Sequence, residues 1–270
     1  MPDIVKTMKL HIHVNDDEKK QLETLTSRYA EACTYVSQYI FDNGLPLNSV
    51  KVQEANYQDV RTRFKLKSQL AVSVMKTVTA RYKAVKEQLS QKPYKYKDED
   101  DKWQYIPRTL EWLRKPIVFH RPQADLVRNR DYRFIKNGTL LSLNTLEKER
   151  LRVQFDVPEY FEKYFDESWK FGTGKLVSLN GEWYFHIPMT KHIDEEFSTD
   201  RVKHVVGIDR GLRFLLTSYD EKGKTHFVSG KEVMRKRDSF QRVRSELQAK
   251  GTRSAKRVLA RISGRENRWM

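Results

Sequence analysis

Apolar positions along this chain recur at two intervals, and the switch between them separates helical stretches from strands. Residues 6–14 alternate, with Met8, Leu10, Ile12 and Val14 on one side, the pattern of a strand with one buried face. Asn15-Asp16-Asp17 then supplies side-chain oxygens that cap a helix, and Leu22, Leu25, Tyr29, Ala32, Val36 and Ile40 follow at three- and four-residue steps until Gly44. A second helix is predicted over 68–89, where Ala71, Val74, Val78, Tyr82, Val85 and Leu89 share a face. Residues 91–104 mix Lys, Tyr and acidic side chains without an apolar period and are expected to form a mobile loop.

Beyond residue 110 the interval falls to two. Residues 117–120 read as a short strand, and 150–155 alternate again before Pro158. Asn137-Gly138 and Asn180-Gly181 each separate two such runs, 132–136 from 139–143 and 175–179 from 182–187. Asn-Gly at that place signals a hairpin, because the tight turn needs two residues at positive φ. Short strands at this spacing predict a small antiparallel barrel that includes the first strand, with the helices inserted into it. Residues 188–199 read as a linker. After it, 204–219 predict a strand, a turn at Arg210-Gly211 and a returning strand, and 225–228 a third. Phe240, Val243 and Leu247, then Val258, Leu259 and Ile262, predict two helical pieces broken near Gly251.

Composition narrows the chemistry. With 270 residues and 38% hydrophobic content, the chain can bury one large core or two smaller ones. It has no run of eighteen apolar residues, and Met1-Pro2-Asp3-Ile4-Val5-Lys6 lacks a secretion signal, so a soluble cytoplasmic protein without membrane partners is expected. Cys33 is the single cysteine, which leaves no material for a disulfide or a cysteine zinc site, and zinc is not expected. Cys33 falls on an apolar helix face and is read as a buried structural thiol.

The net charge of +16 points to a polyanion partner. Residues 201–270 hold 19 Lys and Arg against 7 Asp and Glu, so most of the excess lies there. Arg235, Lys236, Arg237, Arg253, Lys256 and Arg257 are the first candidates for phosphate contact, and Lys67, Lys76, Arg81 and Lys83 of the second helix come behind them. His11 and His13 alternate on the first strand, but no Cys or carboxylate accompanies them at a matching spacing. They are read as ordinary strand residues.

One carboxylate stands apart. Val205-Val206-Gly207-Ile208-Asp209 is an apolar run ending in Asp209, and a central strand is a rigid mount for a carboxylate that holds a divalent cation against a phosphodiester. The plain alternative is an Asp that caps the turn to Gly211. Two-metal chemistry needs more carboxylates, and Glu232, Glu246 and Glu266 lie in or beside the basic helical segment and are not assigned as ligands.

Several stretches together resemble the TnpB (OrfB) proteins of bacterial insertion sequences, which are similar to the small type V CRISPR effector nucleases. They are Gly207-Ile208-Asp209-Arg210-Gly211 with Thr217, Asp125-Leu126-Val127-Arg128-Asn129-Arg130-Asp131-Tyr132, Leu141-Ser142-Leu143-Asn144-Thr145-Leu146, and Ser263-Gly264-Arg265-Glu266-Asn267-Arg268. The resemblance implies an α+β multidomain protein in which an antiparallel wedge β-barrel carries an inserted helical recognition lobe, followed by the N-terminal part of an RNase H-like (RuvC) domain. The implied divisions are 1–15 for the first barrel strand, 16–110 for the lobe, 111–200 for the barrel and 201–270 for the incomplete nuclease domain. Implied partners are a guide RNA and a double-stranded DNA target in the bacterial nucleoid, with Mg²⁺ as the cofactor of the complete site. Asp209 corresponds to the first catalytic, metal-binding aspartate, and Arg128 and Arg130 join the nucleic-acid candidates. The second and third carboxylates and a CxxC zinc ribbon would fall beyond Met270, so a C-terminally truncated, cleavage-deficient binder is expected. Two other readings remain open. One is an RNA- or DNA-binding protein in which Asp209 does no chemistry. The other is an actin-like phosphotransferase, although the bulky Leu212-Arg213 follows the glycine where that fold places small hydroxyl residues.

Overall fold

The alternation at the start of the chain becomes strand β1 (Asp3–His13), with Met8, Leu10 and Ile12 buried on one face. The computed structural model describes residues 3–136, 138–166, 168–192 and 202–269, and the chain divides into two compact units, Met1–Asp194 and Glu195–Met270. In the first unit Asn15 caps α1 (Asp16–Asp42) through a reciprocal box. Its side chain accepts from the Asp17 and Glu18 amides while the Glu18 carboxylate accepts from the Asn15 amide at 2.9 Å. All six predicted apolar positions of α1 are buried. Helix α2 (Ser49–Phe64) was not expected. Its buried stripe of Val52, Asn56, Val60 and Phe64 contains a polar residue, and Asn48 caps it through the Val50 amide. Helix α3 (Ser68–Ser90) buries Ala71, Val74, Val78 and Tyr82 as predicted. Hydroxyl pairs join the helices where side chains meet: Tyr29 with Thr77 at 2.8 Å and Ser37 with Tyr82 at 3.0 Å.

Residues 91–104, expected as a loop, instead lead into a two-stranded hairpin of β2 (Tyr94–Lys97) and β3 (Trp103–Ile106). Every residue of both strands is exposed, so no apolar face announces them. Backbone pairing, the Asp98 turn and cations over rings hold the pair, with Lys95 5.3 Å from the Tyr105 ring centre and Lys97 5.6 Å from that of Trp103. A 3₁₀ turn (Leu110–Trp112) follows. Residues 117–120 form no strand. The Ile117 and Phe119 amides go to side chains instead, to Tyr82 at 3.5 Å and Thr34 at 3.1 Å, while both side chains pack on the core.

Seven further strands complete the unit: β4 (Gln123–Leu126), β5 (Tyr132–Ile135), β6 (Leu140–Leu143), β7 (Leu151–Asp156), β8 (Lys170–Phe171), β9 (Gly174–Leu179) and β10 (Glu182–His192), with the short α4 (Glu159–Glu162) between β7 and β8. They pair antiparallel with β1 in the order β4-β9-β10-β1-β7-β6-β5, and β8 joins β10. The two ends of this path, β4 and β5, are only five residues apart in sequence. The Tyr132 ring on β5 lies 4.8 Å from the Phe185 ring on β10, so the sheet rolls round a shared core. Only a single bridge, Arg128 to Tyr132, links the two ends among the described residues, so the expected barrel is a rolled sheet without a closing ladder. Gly174 permits the roll, because a Cβ there would stand 2.2 Å from the Phe185 ring.

Asn180 and Gly181, at φ 56° and 89°, make the predicted β9–β10 hairpin. In the β5–β6 hairpin Gly138 has φ 88°, and Asn137 lies outside the described residues. Residues 188–192, expected in a linker, continue β10, and 193–199 lie outside the described residues. Pro188 is tolerated because its carbonyl faces Gly172, on the side where the partner of β10 changes from β9 to β8, so no bond to β1 is lost.

In the second unit β11 (Val206–Asp209), β12 (Phe214–Asp220) and β13 (Thr225–Ser229) form an antiparallel sheet in that order. The strand that carries Asp209 is thus an edge strand, not the expected central one, and all four of its residues are exposed. Helices α5 (Lys231–Lys250) and α6 (Arg253–Trp269) break at Gly251, φ 62°, as the apolar spacing predicted, and they fold back on each other there. Phe240, Val243 and Leu247 are half-buried on α5, as are Val258, Leu259 and Ile262 on α6, and the Arg244 guanidinium pairs with Glu266.

Candidate nucleic-acid interface

The basic surface of the second unit begins at a close backbone contact. The Gly230 amide donates to the Arg213 carbonyl at 2.9 Å, and a Cβ on Gly230 would lie 2.1 Å from the Leu212 carbonyl oxygen. This contact sets the first turn of α5 beside the β11–β12 turn. Lys231, Arg235, Asp238 and Arg242 recur at three and four residues along one face of α5. With Arg213 and Lys236 they line a groove of about 1140 Å³ containing five cations and one carboxylate, Asp238. None of these cations has a salt-bridge partner among the described residues, whereas Arg244 on the same helix does.

The six cations predicted in this unit lie in two groups. Arg235 and Lys236 line the groove, and Arg237 is exposed outside its lining. Arg253, Lys256 and Arg257 sit on the first turns of α6, past the far end of α5, so about 22 Å of helix separates the two groups. Three cations at a helix start oppose its dipole, no acidic residue offsets them there, and Thr252 caps the Ala255 amide at 3.2 Å. The sequence reading did not assign Arg213, Lys231, Arg265 or Arg268. The last two join Lys236, Phe240 and Trp269 around a cleft of about 620 Å³. The three- and four-residue spacing from Lys231 through Arg235 to Arg242 was the signal available for the α5 part of the groove.

In the first unit Lys76 and Arg130 share a cleft of about 480 Å³ beside Asp125. Arg128 and Arg130 flank a tight turn in which the Val127 carbonyl accepts from the Asp131 amide at 2.7 Å and Asn129 takes φ 62°. The Arg128 guanidinium lies 4.7 Å from the Phe171 ring centre, in a cleft shared with Phe165, Trp169 and Lys170. Arg150, unassigned from sequence, locks this turn by donating to the carbonyls of Arg130, Asp131 and Ser142. Burial pushes the Asp131 carboxyl up, while the Val127 amide and the Asn144 side chain pull it back. Lys67 is half-buried just before α3, and that burial, with Arg150 nearby, lowers its ammonium. Lys83 shares the Lys76 face of α3, and Arg81 lies about 140° round the helix from it.

Asp209 pairs across the ladder with Thr217 and is exposed. Among the described residues it belongs to no cluster of three ligating side chains. A lone exposed carboxylate cannot by itself hold the two divalent cations of a two-metal centre. Cys33 is buried, and burial holds its thiol well above the usual range, which disqualifies it as a nucleophile. The two strand histidines do acquire acidic neighbours. Asp156 of β7 and Glu182 of β10 stand 3.3 and 3.1 Å from the two ring nitrogens of His11, and Asp156 is 2.8 Å from His13.

No family model matches the chain, and no curated protein does. Solved structures do align with it. A chain of a Cas12f1–sgRNA–target DNA complex aligns over 98% of this protein and 75% of its own length, at 11% identity and a TM-score of 0.47. A chain of a CRISPR-Cas12f ternary complex aligns over 89% of this protein at 11% identity and a TM-score of 0.38, and this protein spans 54% of that chain.

Proposed function

We propose that this chain is a TnpB-like nucleic-acid-binding protein that holds a guide RNA and a double-stranded DNA target through their phosphates and does not cut with these residues alone. The observation that carries this reading is the α5 groove, where Arg213, Lys231, Arg235, Lys236 and Arg242 have no salt-bridge partner among the described residues and surround one carboxylate. Clustered unpaired cations repel one another, and a polyanion relieves that repulsion while releasing its own condensed counterions. In this reading the rolled sheet is the wedge, α1 to α3 form the recognition lobe, and the second unit is the start of a RuvC-like domain in which Asp209 is the first carboxylate. Phosphate contacts of this kind supply affinity without sequence choice, which in an RNA-guided protein belongs to base pairing.

The test is a salt titration of binding to a structured RNA and to duplex DNA, followed by fluorescence anisotropy. Affinity is expected to fall steeply with salt, and Arg235→Ala, Lys236→Ala and Arg242→Ala should each flatten the log–log slope by about 1. Asp209→Ala should leave binding unchanged, and Mg²⁺ should produce no cleavage. A slope that all three substitutions leave intact would sink the groove as the binding surface. Mg²⁺-dependent cutting that Asp209→Ala abolishes would overturn the cleavage-deficient reading.

A further inference from the structure

We propose that His11, His13 and Asp156 form a transition-metal site on the outer face of the rolled sheet, with Glu182 orienting the His11 ring. His11 and His13 lie two residues apart on β1, so both project from the face opposite the buried Met8, Leu10 and Ile12. Asp156 on β7 is the direct cross-strand partner of His11, and His13 pairs with Gln154 two residues away on the same strand. The ladder therefore brings one carboxylate between two imidazoles that the sequence separates from it by more than 140 residues.

The distances suit a small cation. One ligand atom from each of the three residues can be chosen so that all lie within 4.8 Å of one another. The Asp156 carboxylate oxygen stands 2.8 Å from His13 Nε2 and 3.3 Å from His11 Nδ1. Bonds of about 2.0–2.1 Å to a tetrahedral Zn²⁺ require ligand atoms about 3.3 Å apart, so small side-chain adjustments bring the three atoms round one ion. Two imidazoles and a carboxylate favour Zn²⁺ and its first-row neighbours over Mg²⁺ or Ca²⁺, which prefer all-oxygen shells.

Glu182 supplies an independent observation. If His11 binds a metal through Nδ1, its Nε2 must carry the proton, and the Glu182 carboxylate lies 3.1 Å from that nitrogen, placed to accept it. A carboxylate on the distal nitrogen of a ligating histidine fixes the tautomer and raises the basicity of the ring. The strands that bear these groups give the site a mechanical meaning. β1 pairs with β10 over ten residues but with β7 over only three, so the ion would fasten the weaker seam of β1.

The test is calorimetric titration of the full chain with Zn²⁺, supported by the visible ligand-field bands of Co²⁺ and by the melting temperature with and without metal. One ion per chain is expected, with a higher melting temperature when it is bound. His11→Ala, His13→Ala and Asp156→Ala should each weaken binding tenfold or more, and Glu182→Ala by about tenfold. His120→Ala, at an exposed histidine outside the cluster, should bind as the unaltered chain does. Circular dichroism establishes that each variant is folded, and the substituted side chains are at least partly exposed. The site is overturned if the unaltered chain takes up no Zn²⁺ on the order of 1 mM, or if folded His11→Ala and His13→Ala bind as tightly as it does.

Discussion

The two units draw on similar apolar patterns and bury them very differently. In the first, Leu10, Leu22 and Phe185 are fully buried, and one cluster of apolar side chains runs from the helices through the rolled sheet. In the second, Val206, Ile208 and Phe227 remain 51, 61 and 61% exposed, and only Gly230 and Ala255 are buried among the described residues. An apolar interval thus specifies that a strand forms without specifying what covers it. The second unit is held mainly by backbone ladders, tight turns and the α5–α6 hairpin, and it exposes cations beside uncovered apolar strand residues.

The sharpest way to break this contrast is to delete one large side chain from each sheet. Phe185→Ala leaves a cavity where the Tyr132 ring and Gly174 close in, and it is expected to cost about 3–5 kcal/mol. Ile208→Ala removes a side chain already in water and is expected to change stability by less than about 0.5 kcal/mol. Urea unfolding of the two variants measures both values. A cost for Ile208→Ala approaching that of Phe185→Ala would mean that the second unit has a core after all.

The parts legible in the sequence are those where local chemistry and burial agree. The first strand, the Asn15 cap with α1, and the Asn-Gly hairpin of β9 and β10 follow from residues adjacent in the chain. Helix α2 stayed hidden because Asn56 interrupts its apolar stripe, and the β2–β3 hairpin because its aromatic side chains alternate with Lys on β2 and Gln on β3, on strands that bury nothing. The apolar pair in 117–120 is real, but it docks on the core with its backbone bound to side chains. Strand order was not readable: nothing local to residues 205–209 says that β11 lies at an edge, or that Asp156 comes to rest between His11 and His13. The basic character of the last seventy residues was visible, yet its division into two ends of a helical hairpin depends on the turn at Gly251.

Helix starts give a second, smaller contrast. Asn15→Ala removes the side-chain half of the capping box, the acceptor of the Asp17 and Glu18 amides, and leaves the residue-15 amide donating to Glu18; it should cost about 1 kcal/mol of unfolding free energy. Helix α5 begins at Gly230 without a side-chain cap, which suggests that a serine there would help. The opposite is expected. The new Cβ would meet the Leu212 carbonyl, so Gly230→Ser should destabilise the second unit and disturb the groove beside it. Thermal melts of both variants, with amide exchange to locate the loss, decide the matter. A stabilising Gly230→Ser would show that the contact at Leu212 yields easily.

The smallest effect distinguishes the units by pH. His186 on β10 is half-buried, and its Nε2 has no hydrogen-bond partner among the described residues. Burial lowers its pKa first, and the charges of Lys9, Arg121 and Lys175 lower it further. For a base whose folded pKa lies below its unfolded value, protons bind the unfolded chain first as pH falls. The contribution of His186 to stability is therefore complete above the ordinary histidine pKa of about 6.5 and declines as pH drops from there toward the folded value. Partial exposure keeps the slope shallow. Replacing the imidazole with a side chain that cannot titrate, as in His186→Gln, should remove this part of the acid loss while leaving other titrating groups in place. Urea midpoints of the two proteins should differ by an amount that changes between pH 7 and pH 5. A constant difference across that interval would mean that the cations and burial around His186 do not oppose its protonation in the folded chain.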